Sequence, residues 1–154
     1  MTIQEIFDDI SKRVVTIKIS EATLNVYKSF IKESENLIIQ PVSHFIQIAR
    51  NNNPELQGLV VESLIIDETR LFDIVIGTDN VDINTIWIKD ILKVGVQLVP
   101  VISRTKENSQ EIIKTEYFSQ LNILYSTNIG FIYRTNVDRI GELFQLANLL
   151  TKMK

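Results

Sequence analysis

The chain has 154 residues, a net charge of −3, 45% apolar and 23% charged side chains, and no cysteine. That length and hydrophobicity are those of one globular domain over 1–154, with a helix-rich part at 1–53 and a β-rich part at 58–154. The composition excludes disulfides, thiolate nucleophiles and cysteine-held metals, one histidine excludes multi-histidine centres, and dispersed lysines and arginines argue against nucleic acid as a partner.

The opening segment, "MTIQEIFDDISKR", has acids where a signal peptide needs a basic start and an unbroken apolar run. No apolar stretch nears the roughly 20 residues of a membrane span. A cytoplasmic protein with no membrane partner is therefore expected. Thr2 and Glu5 have capping-box spacing, and Ile3, Ile6, Phe7 and Ile10 recur at helical intervals, which predicts a first helix. "VVTIKI" (14–19) alternates and reads as a strand. Ser20 caps a second helix to about Ser34, with Leu24, Tyr27, Phe30 and Ile31 on one face. Pro41 suits the first turn of a third helix, "PVSHFIQIARNNN", which Pro54 ends.

From residue 58 the texture becomes strand-like. "GLVVESLII" and "RLFDIVI" are two strands joined by the hairpin loop "DETR" (67–70), and "VQLVPVI" and "GFIYRT" are further strands. Pro100, lacking an N–H, places its strand at a sheet edge or a bulge. Segments 83–94 and 109–125 have apolar residues at i+4 steps (Ile113, Tyr117, Leu121, Tyr125 in the second) and plausible caps at Asp82, Gly95 and Ser109, so they read as helices. The chain closes with a helix carrying Ile140, Leu143, Phe144, Ala147 and Leu150. Leu146 and Leu149 widen its apolar arc into a candidate partner surface.

Strands alternating with helices imply an α/β fold, a three-layer, mostly parallel sheet with helices on both faces in a flavodoxin-like layout. "LVPVISRT" and "IGFIYRTNVDRIGELFQLANLL" resemble the last two strands and helix of a response-regulator receiver domain, a likeness that implies this layout and no function. The alternative makes 83–94 and 109–125 strands. Residues 58–135 then resemble, in order, a seven-stranded pleckstrin-homology-like barrel with a C-terminal helix, an α+β fold.

Motifs for dinucleotide turns, P-loops and nucleophile elbows are absent. His44 reads as a partly buried structural histidine rather than a base. "FDIVIGTDNVDINTIWIK" (72–89) resembles a PD-(D/E)xK nuclease in its hairpin, Asp73 and Lys89. Trp87 stands where that motif has an acidic metal ligand, so the likeness implies at most a degenerate, non-cleaving domain. Trp87 itself reads as core in a helix, or else as an anchor for a ligand or partner. In a parallel sheet, ligands collect beyond the strand carboxyl ends. Those ends nominate Thr78, Asp79, Asn80, Arg104, Thr105 and Asn136 as a rim for a small polar or anionic ligand, with no metal, cofactor or catalytic residue. The function expected first is a non-catalytic regulatory or protein-interaction module, pairing with a protein or with itself through Leu146 and Leu149. Ligand binding at the rim, or a degenerate nuclease-like domain, is the alternative.

Overall fold

The computed structural model describes residues 2–15, 17–50, 59–78, 80–127 and 130–153. The chain forms two compact units, Met1–Ile88 and Lys89–Lys154.

The first unit begins with α1 (Ile3–Val14), whose N-cap is Thr2. Its hydroxyl accepts from the Glu5 N–H while the Glu5 carboxylate accepts from the Thr2 N–H, a complete capping box. α2 (Glu21–Ser34) starts at Ser20, which accepts from the Thr23 N–H. Four strands follow, β1 (Ser43–Arg50), β2 (Leu59–Ile66), β3 (Arg70–Ile76) and β4 (Val81–Trp87). They form one antiparallel sheet in the order β1-β2-β3-β4. One face, with Ile46, Val61, Ile65, Phe72, Ile74 and Ile76, packs with Ile6, Phe7, Ile10 and Val14 of α1 and Ile31 of α2 in a single core.

The second unit holds β5 (Lys93–Glu107), β6 (Gln110–Leu124) and β7 (Gly130–Asn136), again antiparallel and in chain order, then α3 (Ile140–Met153). α3 lies against β5 and β6 and buries Leu143, Leu146 and Leu150. Leu121, Ile123 and Tyr133, which share one face of the sheet, are also buried. β5 and β6 meet at a two-residue turn, Asn108-Ser109, with φ of 50° and 65°. Positive φ at both positions belongs to the tight hairpin turn whose twist matches the strands it joins.

Several expectations are corrected. Among the described residues both sheets are antiparallel, which overturns the parallel, flavodoxin-like layout. The connections forbid it: two residues between β5 and β6, and three or four in β2–β3 and β3–β4, are far too short for a parallel crossover, which takes a dozen or more. The α+β alternative, seven strands before a C-terminal helix, has the observed order, although the strands begin at Ser43 rather than 58. Segment 83–94 is the end of β4, a 3₁₀ turn (Ile88–Asp90) and the start of β5, and 109–125 is β6. An i+4 interval is also a multiple of two, so Ile113, Tyr117 and Leu121 line one face of a strand as well as of a helix. The 41–53 helix is β1 as far as Arg50, while "NNN" and Pro54 lie outside the described residues. No strand forms among the described residues of 14–19. Val14 completes the apolar face of α1, four residues beyond Ile10, and Ile17 turns into the same core. Gly95 and Asp82 lie within strands and cap no helix. Pro100 does sit on an edge strand, β5.

Candidate functional site

Strand register places nine residues of the second unit on the sheet face opposite the buried Leu121, Ile123 and Tyr133. They form three rows across β5, β6 and β7: Lys93–Leu124–Gly130, Gly95–Asn122–Ile132 and Gln97–Gln120–Arg134. The first two rows line a depression of about 460 Å³. Glycine at two of the nine positions is the local cause. An added Cβ at Gly95 would meet nothing within 4 Å, so the floor there is open. At Gly130 it would come within 3.1 Å of the Ile123 carbonyl oxygen, so a larger residue is strained.

A directed chain of side-chain hydrogen bonds crosses the second and third rows. Arg134 donates from Nε and Nη2 to Gln120 Oε1, at 3.0 and 2.7 Å. Gln120 Nε2 donates to Asn122 Oδ1 at 2.8 Å, and Asn122 Nδ2 donates to Gln97 Oε1 at 3.3 Å. A guanidinium has no acceptor. Gln120 must therefore offer it oxygen, which turns its NH₂ to Asn122, and the same logic carries on to Gln97. The chain ends on β5 with an amide NH₂ facing outward. Bonds arranged head to tail in this way polarise one another. Gln120 is only 7% exposed, so the middle of the chain is shielded while Gln97 and Lys93 are open to solvent.

The residues nominated for a strand-end rim are divided between the two units. Thr78 and Asn80 belong to the β3–β4 turn of the first unit. There the Gly77 N–H donates to the Asn80 carbonyl, the Tyr27 hydroxyl donates to the Thr78 carbonyl, and the Asn80 amide donates to Asp82. Asp79 lies outside the described residues. Arg104 and Thr105 sit far out on β5, opposite Ile113 and Ile112, and Arg104 is 3.9 Å from Glu111 with both side chains exposed. Asn136 ends β7 opposite Phe118 and accepts from the Ser119 hydroxyl through its carbonyl. Five residue steps along β6 separate the rows of Arg104 and Asn136, about 17 Å along a strand. The premise of a shared rim fails with the parallel sheet. Leu146 is fully buried in its own unit and Leu149 is half-buried.

Other chemistry-bearing groups sit in the first unit. Asp73, 5% exposed, shares a sheet face with Glu62, Asp82 and Asn84. Burial raises its pKa to about 9, and Glu62, by charge and by a hydrogen bond, and then Asp82 add to the rise. Burial and these two acidic neighbours therefore favour the protonated form of Asp73 at neutral pH. His44 lies on β1, not on a helix, and its Nε2 is 2.8 Å from the hydroxyl of Ser63, a fully buried residue of β2. Burial lowers its pKa to about 4, Asp9 opposing and Arg13 adding to the effect, so the ring is neutral at pH 7. A hydroxyl with no exposure cannot meet a substrate, and the pair is a structural tie. Trp87 is 47% exposed at the end of β4. Arg70, whose Nε and Nη2 both donate to Oδ2 of buried Asp67, lies 4.9 Å from the Phe72 ring and 5.5 Å from that of Trp87.

The sequence signal for the polar face was period-two alternation across Gly95–Gln97 and Gln120–Asn122, hidden while 109–125 is taken as a helix. No protein-family model, curated protein or solved structure matches the chain.

Proposed function

We propose that the protein is a non-catalytic binding domain that takes a small anionic or hydrogen-bond-accepting ligand on the open face of its β5–β6–β7 sheet. The observation that carries the reading is the directed amide chain. Arg134 sets the orientation of three amides so that Gln97 presents N–H donors beside the depression, with the Lys93 ammonium on the same strand. None of the nine residues on this face is acidic. The depression, about 460 Å³, falls within the range of sites that hold small molecules. Charged donors to carboxylate or phosphate oxygens form the stronger class of hydrogen bond, which favours such groups as the ligand's polar end.

The test uses thermal unfolding with a panel of di- and tricarboxylates, sugar phosphates and nucleotides. A ligand at about 100 times its Kd stabilises the folded form by roughly 2.7 kcal/mol, a shift of several degrees. At least one panel member is expected to produce it. Gly95→Leu puts a side chain into open space, so the variant is expected to fold normally and lose the shift. No stabilisation by any member, or equal stabilisation of Gly95→Leu, would refute the reading.

A further inference from the structure

The outer half of the β5–β6 hairpin extends past β7, whose pairing with β6 stops at Phe118–Asn136. Every residue from Gln110 to Tyr117 is exposed, and among the described residues no strand pairs with the outward edge of β6 over that stretch. An edge like this templates further strand pairing unless something blocks it. The opposite edge, β5, contains Pro100, while β6 contains no proline. One face of the ribbon also carries several large apolar side chains, beside Arg104 and Thr115. Register aligns Leu98, Pro100, Ile102, Ile113 and Tyr117 there, and four of them are large side chains between 50% and 62% exposed.

Independently of any ligand, we propose that two copies of this chain associate through antiparallel pairing of their β6 edges about a two-fold axis at Thr115, which makes a continuous β5–β6–β6–β5 ribbon. A two-fold axis normal to a sheet keeps the two faces distinct and opposes residues equidistant from it. With the axis at Thr115, Lys114 of each copy meets Glu116 of the other, and Ile113 meets Tyr117. Two opposite-charge pairs and two apolar pairs thus flank a threonine pair, all of them favourable cross-strand neighbours. The face of one ribbon that carries the large apolar side chains runs on into that of the next. Nearby axes lack this match. An axis at Lys114 or Glu116 sets like charges against each other, and one at Ile113 opposes Ile112 to Lys114 and Gln110 to Glu116. Pairing from Phe118 onward is closed, because β7 occupies that edge. Within one copy Lys114 and Glu116 are already 3.1 Å apart, 69% and 50% exposed, so association exchanges partners between equivalent pairs.

Light scattering coupled to size exclusion, over a range of protein concentrations, tests the interface. The unaltered chain is expected to dimerise. Lys114→Glu and Glu116→Lys each place like charges opposite one another twice, and each is expected to weaken dimerisation at least tenfold. The double variant K114E/E116K re-forms both pairs and is expected to dimerise like the parent. Both side chains are exposed, so far-UV circular dichroism should be unchanged throughout. A parent that is monomeric at all concentrations, dimerisation that survives both single reversals, or a double variant that stays monomeric would each overturn the proposal.

Discussion

Asp73→Asn isolates what a buried carboxyl does to the stability of the first unit. The folded protein holds the Asp73 proton up to about pH 9, whereas an unfolded chain releases it near its ordinary value of 3.8. A folded pKa above the unfolded one favours folding in full below pH 4, and that contribution is lost as pH rises toward 9. Each pH unit in this window costs about 1.4 kcal/mol, so from pH 4 to 7 the group removes at most about 4 kcal/mol. Asparagine has nearly the same shape, can donate to Glu62 as the protonated acid does, and does not titrate. Urea unfolding, followed through the lone tryptophan, Trp87, reports on this unit, since Trp87 ends β4 beside Arg70. The parent is expected to lose stability between pH 4 and 8 relative to Asp73→Asn, and the variant to be the more stable protein at pH 8. Parallel stability curves for the two proteins would refute the reasoning.

Two further substitutions check packing and turn chemistry. Leu146→Ala empties a fully buried site and is expected to cost about 2–5 kcal/mol in urea unfolding, while Leu149→Ala, at a half-buried site, should cost clearly less. If Leu149→Ala proved the more damaging, α3 would have to pack through a different face. Ser109→Gly relieves a positive φ that glycine adopts freely and should stabilise the hairpin by about 0.5–1 kcal/mol, read as slower amide exchange near Ile112 and Ile113. Faster or unchanged exchange would count against the turn geometry.

The two N-terminal helices were legible in the sequence because each signal was redundant. The Thr2–Glu5 box and the Ser20 cap agree with 3.6-residue periodicity, and no competing pattern fits. The β2–β3 hairpin was legible because Asp67 both ends a strand and accepts the N–H groups of Thr69 and Arg70 in the turn. Beyond that point, i+4 spacing served two periods equally well, and β-branched Ile112, Ile113 and Ile123 were the better guide. Loop length was the other missed signal. Only four residues separate Ile76 from Val81, too few for a parallel crossover once Val81–Trp87 is a strand. The polar face of β5–β7 could not be read from any single segment, because its nine residues come from three strands and meet only through register.

The Arg134 chain also has a sign that one residue could reverse. Side-chain amides are nearly symmetric in shape, so Gln120, Asn122 and Gln97 can each turn end for end without moving the backbone. Arg134 offers only donors, so oxygens point toward it and N–H groups point away. A carboxylate in its place offers only acceptors, and the three amides would rotate in turn until Gln97 showed oxygen to solvent. The face would then select ligands by the opposite hydrogen-bonding polarity, two strands away from the altered residue and with every Cα where it was.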